Sequence, residues 1–197
     1  CRLLGFSIRL SMRWLTGNNP TQRKLGLLDF TRSTEEIVDI VREYPGLVEL
    51  LPFPTDGIDF ADDGFWRTLK DDLNARWSPP DADVLRNVRR TWTLLGSSVP
   101  DPERMVYVAG CQPLTVSDYE VTTYEEPWMR GRKRLGFLGT RDGDGTVTWQ
   151  SGRLANVRSW FAEDTGHDEL CTQQRAFPGY FDLLMTGRTT HLADSPP

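Results

Sequence analysis

The stretch RDGDGTVTWQSG, residues 141–152, has the residue types most suited to chemistry, because two aspartates and three glycines lie beside a short β-branched run. The carboxylates of Asp142 and Asp144 can bind a metal ion, take part in phosphoryl transfer or orient a histidine. The spacing of the surrounding residues distinguishes these three interpretations.

A calcium loop is the first interpretation, since Asp142, Asp144 and Thr146 occupy alternate positions. Calcium loops of this type have a glycine at the sixth position and a bidentate glutamate at the twelfth. Those positions hold Val147 and Arg153 here. The sequence therefore argues against calcium. A zinc site of His and Cys ligands is also unfavoured, because the chain has two histidines and no CxxC pair.

A phosphatase is the second interpretation, because residues 142–146 resemble the DxDGT motif of haloacid-dehalogenase-like phosphatases. The resemblance implies that Asp142 is the nucleophile and Asp144 the acid/base. In that family the nucleophile ends the first core strand, and the rest of the fold follows it. Only residues 147–197 follow the motif here. They are too few for the remaining strands and the magnesium ligands, so this is the least favoured alternative.

The third interpretation makes Asp144 the acid of a hydrolase triad. Such an aspartate accepts the imidazole Nδ1–H, which holds the histidine tautomer and stabilises the imidazolium that forms. His167 lies after a predicted strand at 157–164 and before a predicted closing helix at 176–187. Because α/β-hydrolases place acid and histidine in this order, Asp144 and His167 are the candidate catalytic residues. His191, in the tail, is predicted to be an ordinary surface residue.

The remaining elements are predicted from periodicity and end signals. A capping box, Ser33 with Glu36, predicts a helix over 33–44. Two amphipathic stripes that contain tryptophans predict helices that pack in a core or, alternatively, form a lid over an apolar ligand. The acidic stretch 55–64 is predicted to be an exposed loop. The other predicted elements are helices at 66–77 and 81–95, a strand at 104–111, and a hairpin of strands 119–126 and 133–140.

The stretch GDGTV followed by SG, with the strand, loop, histidine and final helix after it, resembles the C-terminal half of lecithin:cholesterol acyltransferase-like α/β-hydrolases. These are serine lipases, esterases and acyltransferases. The glycine-tipped strand VYVAGCQPLT adds to the resemblance, as do LTG (15–17) and YPGLVELLP (44–52).

The resemblance implies an α/β fold, the C-terminal half of an α/β-hydrolase sheet. Core segments would cover 1–54 and 101–197, and a helical cap or lid would cover 55–100. It also implies that Asp144 is the triad acid, that His167 is the triad histidine and that Asp142 shapes the turn. The implied substrate is an acyl ester or a lipid-like molecule, with no cofactor.

The nucleophile elbow of this family, G-x-S-x-G, does not occur in the sequence. GFSIR, residues 5–9, has Arg9 where the elbow requires a small residue, and the oxyanion-hole segment is missing too. We therefore expect this chain, which begins at Cys1 and not at Met, to belong to a longer polypeptide whose upstream segment supplies the serine. Alone it is expected to be inactive. The alternative is a hydrolase-derived binding domain without catalysis.

The composition argues against several other classes. The net charge of −5 disfavours binding to nucleic-acid phosphates, and the basic cluster at 130–134 is predicted to be a solvated hairpin tip. Three cysteines leave one unpaired, so a disulfide framework is not expected. No apolar run reaches the length of a membrane span, and no signal-peptide pattern opens the chain. These features favour the cytoplasm.

Overall fold

The computed structural model describes residues 36, 39, 40, 42–54 and 58–197. Helices come first in this part of the chain and strands follow, which confirms a mixed α/β protein. The helices are α1 (Pro45–Glu49), α2 (Asp63–Asp72), α3 (Ala82–Gly96), α4 (Trp149–Gly152) and α5 (Phe177–Thr186). The strands are β1 (Val106–Gly110), β2 (Thr115–Thr123), β3 (Lys133–Thr140) and β4 (Arg158–Ala162), and 3₁₀ turns cover Pro127–Met129 and Gln174–Ala176.

β1 and β4 lie side by side in parallel, with registers running from Val106 opposite Arg158 to Gly110 opposite Ala162. The connection between them contains the β2–β3 hairpin, the loop that follows β3, and α4. Because the two strands run in the same direction, the segments that follow them leave from the same edge. An isolated bridge between Cys111 and Thr165 continues the contact beyond the strand ends.

The predicted hairpin is confirmed. β2 and β3 are antiparallel, with Thr115 opposite Thr140 at the root and Thr123 opposite Lys133 near the tip. β2 begins at Thr115, earlier than predicted. The tip residues Arg130 and 132–134 are exposed, as the sequence predicts.

The tryptophan stripes of the two amphipathic helices are buried in one core. Trp66 is fully buried, and its indole Nε1 donates to the carbonyl of Phe60 at 2.8 Å. The hairpin packs against the same core, through Tyr119 and Phe137 among others. The buried members of this helical core are Val48, Leu51, Phe60, Ala61, Trp66, Leu69, Trp77, Leu85, Val88 and Trp92. The prediction that the stripes pack in a core is therefore confirmed.

Two predictions about the helical region are wrong in detail. The stretch 55–64 was expected to be exposed, yet Phe60 and Ala61 are buried because Phe60 packs edge-on against Phe65 at 5.0 Å. α2 begins at Asp63, since the side chain of Asp62 caps it by accepting from the backbone N–H of Phe65 at 3.1 Å. It also ends at Asp72, five residues before the predicted end.

Half of the first predicted helix, 33–44, falls outside the described residues, as do Cys1 and the whole of 1–35. Of its six described residues, 36, 39, 40 and 42 are helical, whereas 43 and 44 are not. Pro45 then begins helix α1, which the sequence analysis did not predict, because proline fits the first turn of a helix. The helical core includes Val48 and Leu51, so it extends across the predicted boundary at 54/55. The proposed division into core and cap stays a prediction.

A second core joins the parallel strands to the loop at 141–148. It consists of Ala109, Cys111, Trp149 and Phe161. Trp149 donates its indole Nε1–H to the carbonyl of Gly110 at 2.9 Å and packs edge-on against Phe161 at 5.0 Å. α4 is thereby fixed to the end of β1. The closing helix α5 ends at Thr186 and is capped by Gly187, as predicted. Among the described residues, no helix combines the length and apolar character needed to cross a membrane.

Candidate active site

Asp144 and His167 are hydrogen-bonded to each other. The imidazole Nδ1 of His167 lies 2.8 Å from Oδ2 of Asp144, and the His167 backbone N–H donates to the Asp144 carbonyl at 2.9 Å. Asp144 lies on the loop after β3, and His167 follows β4. The contact expected from the sequence is present, while the catalytic role of the two residues stays a prediction.

The Asp144 carboxylate is buried but well satisfied. The residue is 5% exposed, and its Oδ1 accepts the backbone N–H groups of Thr146 at 3.0 Å and Val147 at 2.7 Å. A buried carboxylate is stable only when hydrogen bonds replace its lost water. Because an ionised carboxylate only accepts, Nδ1 of His167 must be the protonated nitrogen of the neutral ring. Nε2 is then the nitrogen able to accept a proton.

The loop that holds Asp144 is a tight turn. The Asp144 backbone N–H donates to the carbonyl of Val147 at 3.1 Å. Gly145 has a φ of +88°, a left-handed conformation that favours glycine. Its N–H donates to Oγ1 of Thr115, at the root of the hairpin, at 2.8 Å. The turn therefore explains why a glycine follows Asp144 in the DGDGT motif.

Gly110, the last residue of β1, lies against both loops. A Cβ at this position would be 2.4 Å from the carbonyl oxygen of Thr165 and 2.9 Å from Cβ of Asp144. Both distances are too short for a side chain. Glycine at this strand end therefore lets the two loops approach closely enough for Asp144 to reach His167.

The other aspartate of the motif has a different environment. Asp142 is exposed; its backbone N–H donates to Oγ1 of Thr140 at 3.1 Å and its carbonyl accepts from Trp149 at 2.9 Å. These contacts support the interpretation that Asp142 shapes the turn. Within the described ranges, no group of three His, Cys, Asp or Glu residues is arranged to hold a metal ion. His191 is exposed, with Nε2 at 3.9 Å from Oδ2 of Asp182.

Two further groups near the pair keep their protons at neutral pH. Burial, together with the charges of Glu163, Asp144 and Asp164, raises the pKa of the Cys111 thiol to about 11. Burial and the charge of Asp144 raise the pKa of Tyr107 to about 12, against a smaller opposing effect of Arg153. Because the thiolate is the reactive form of cysteine, Cys111 is a poor nucleophile here. Both Cys111 and Cys171 are free thiols.

The described residues form a cavity and a groove outside the Asp144–His167 contact. A cavity of about 380 Å³ is lined by Glu163–Thr165, the turn at 173–176 and the tail at 190–193, but neither Asp144 nor His167 lines it. A groove of about 610 Å³ lies between α2 and the hairpin. Its apolar lining is formed by Ile58, Phe65, Leu69, Tyr119 and Val121, and its carboxylates belong to Asp59, Asp62 and Asp72.

Sequence reasoning did not identify Thr115, Gly110 or Trp149 as part of this site. Trp149 lies within the quoted motif and Gly110 lies near the end of the strand predicted at 104–111, but the sequence analysis assigned neither a role in the site. Thr115 has no local signal at all, because it meets the loop only through the fold. Comparison with protein-family models, with curated proteins and with solved structures finds no match to this chain.

Proposed function

We propose that this chain supplies the acid and the histidine of a serine α/β-hydrolase or acyltransferase that acts on acyl esters. The observation that carries the proposal is the 2.8 Å hydrogen bond between Asp144 and His167. The parallel pairing of β1 with β4 supports it, because α/β-hydrolases place their triad at the carboxyl edge of a parallel sheet. The resemblance to lecithin:cholesterol acyltransferase-like proteins rests on the same loops.

The proposed reaction uses a serine from outside these 197 residues. Its oxygen attacks the acyl carbonyl while Nε2 of His167 takes the hydroxyl proton. The ester C–O bond then breaks, and His167 returns the proton to the leaving alkoxide. Water or an acceptor alcohol attacks the acyl-enzyme by the reverse route, which gives hydrolysis or transfer. Asp144 holds the ring through Nδ1 and stabilises the imidazolium at each proton transfer.

The apolar lining of the groove between α2 and the hairpin supports an acyl group as the substrate moiety, while Asp59, Asp62 and Asp72 form its polar part and neither Asp144 nor His167 lines it. Its volume of about 610 Å³ lies within the range of small-molecule sites, and Phe65 and Tyr119 give it aromatic walls. The tryptophans of the same region are buried in the helical core. In this proposal they support the groove and do not line it.

The test compares the two aspartates of the motif in the polypeptide translated with the coding sequence upstream of Cys1. Asp144→Asn should lower kcat for p-nitrophenyl ester hydrolysis by about 10⁴-fold, because the amide no longer selects the correct histidine tautomer. Asp142→Asn is the matched control and should change kcat by only a few-fold. Wild-type turnover in Asp144→Asn would refute the proposal. Phosphatase activity that is abolished by Asp142→Asn would favour the magnesium-dependent phosphatase.

A binding domain without catalysis is the second candidate, and the same groove favours it. In that case no ester turnover depends on Asp144, while a fluorescent fatty acid still binds. Filling the groove with Val121→Trp should then abolish the fatty-acid signal. Ester turnover that depends on both Asp144 and His167 would exclude this candidate.

A further inference from the structure

Thr115 is a polar residue with no access to solvent. It is 0% exposed and begins β2, where it lies opposite Thr140. Its hydroxyl Oγ1 accepts the backbone N–H of Gly145 at 2.8 Å. A buried hydroxyl is retained at little cost only where it has such a partner. This contact therefore ties the root of the hairpin to the loop that holds Asp144.

Thr115 also packs against the residue on the other side of Asp144. A Cβ at Gly143 would lie 2.5 Å from Oγ1 of Thr115 and 2.7 Å from its Cβ. Thr115 thus contacts Gly143 by packing and Gly145 by a hydrogen bond. Because these two residues flank Asp144, the position of Thr115 restricts the backbone on both sides of the acid.

The strand that carries Thr115 is itself anchored. β2 pairs with β3 along its length, and its Val116 and Val121 pack against the helical core. Positioning residues are effective when they stand on rigid elements and not on loops. The hairpin root meets that condition, and the Asp144 loop contacts it through Gly143 and Gly145.

We propose that Thr115 is a positioning residue for the acid of the site, acting through Gly143 and Gly145. This inference rests on the proposed function. Thr115 touches neither His167 nor substrate in this scheme. It keeps the turn closed so that Oδ1 of Asp144 meets its two backbone donors and Oδ2 meets Nδ1 of His167. A loop shift of a fraction of an ångström would lengthen that bond.

The test reads the tautomer of His167 by ¹⁵N NMR in the 197-residue chain, which needs no catalysis. The chain has two histidines, so exposed His191 serves as an internal reference. In the wild type the neutral ring should carry its proton on Nδ1. Thr115→Val replaces the acceptor by a methyl group and should yield a mixture in which the Nε2–H form dominates. Thr115→Ser keeps the acceptor and should preserve the Nδ1–H form.

Controls separate positioning from loss of stability. Thr91→Val removes a hydroxyl that bonds to Oε1 of Glu49 at 3.0 Å in the helical region, and it should leave the His167 tautomer unchanged. If Thr115→Val does not fold, hydrogen exchange in the wild-type chain replaces it. The Gly145 amide should exchange about ten-fold more slowly than an unbonded glycine amide. Exchange at the unbonded rate would overturn the proposal.

The possible failures are distinguishable. A full Nδ1–H tautomer in Thr115→Val, together with its loss in Asp144→Asn, overturns the role of Thr115 and leaves the proposed function intact. An unchanged tautomer in Asp144→Asn means that the Asp144–His167 bond is not present in solution. That outcome overturns both proposals.

Discussion

Asp144 and His167 depend on the backbone as much as on each other. The backbone N–H groups of Thr146 and Val147 donate to Oδ1 of Asp144, and the His167 N–H donates to its backbone carbonyl. The first two donors orient the carboxylate independently of the imidazole. Preorganisation of this kind lets a charge that forms during reaction be stabilised without movement of the site.

Gly110 tests this account at the residue scale. Gly110→Ala would place a methyl carbon 2.4 Å from the Thr165 carbonyl oxygen and 2.9 Å from Cβ of Asp144. Since neither atom belongs to a flexible side-chain end, the two loops must separate. We expect the free energy of unfolding to fall by about 1–3 kcal/mol, the usual cost of overpacking. The Nδ1–H tautomer of His167 should be lost as well.

Gly46→Ala is the control for this substitution, because a Cβ at Gly46 meets nothing within 4 Å. Urea titration followed by tryptophan fluorescence measures both variants. Gly46→Ala should match or slightly exceed the wild type in stability. A Gly110→Ala protein with wild-type stability and an intact tautomer would show that the strand end does not constrain the loops.

The sequence predicts Asp144 and His167 but not the residues that hold them. The acid lies in a compact motif of glycines and aspartates, and the histidine lies between a predicted strand and a predicted helix, so local signals suffice. Thr115 reaches the site through hairpin register, and Gly110 through the approach of two separate loops. Such contacts depend on tertiary packing, which no local pattern records.

At the scale of elements, the two tryptophan-bearing helices and the hairpin share one hydrophobic core. Trp66 is fully buried, packs edge-on against Phe65 at 5.1 Å and donates to the Phe60 carbonyl. Tyr119 of the hairpin packs edge-on against the same Phe65 at 5.9 Å. The helical core therefore holds the hairpin along its length, and Thr115 at the root of the hairpin holds the Asp144 loop.

Trp66→Ala should lower the free energy of unfolding by about 3–5 kcal/mol, because it removes a large core side chain and leaves the Phe60 carbonyl without its donor. Trp128→Ala is the control, since Trp128 is 80% exposed and surface substitutions change stability by about 0.5 kcal/mol or less. Chemical denaturation monitored by circular dichroism measures both. A loss below about 1 kcal/mol for Trp66→Ala would contradict the core assignment.

Helix and strand positions were predictable wherever periodicity and end signals agreed. The apolar stripe of α3 predicts that helix within one residue of its observed bounds, and in the structure the Asp81 side chain caps its first turn. The exposed-loop prediction for 55–64 is wrong because it was based on the acidic residues of this stretch. Phe60 is buried against Phe65, and this contact forms only in the folded chain. α2 ends early because Asn74, with a φ of +47°, breaks the helix before Trp77.

At the scale of the whole molecule, the described residues form two cores. The helical core packs along the hairpin, while Trp149 and Phe161 fix the 141–152 segment to the parallel strands. Asp144 lies on the loop that leads from the hairpin to α4. This arrangement is consistent with the proposal that the helical region binds an acyl group and that the loops after β3 and β4 provide the catalytic residues.

The central claim is that Asp144 and His167 activate a serine. The most direct test is covalent labelling with a fluorophosphonate, which reacts with activated serines, in the polypeptide extended through the coding sequence upstream of Cys1. We predict a single adduct on a serine outside the 197 residues, lost in His167→Ala and retained in His191→Ala. Labelling that survives His167→Ala, or no labelling of a folded extended protein, would contradict the account.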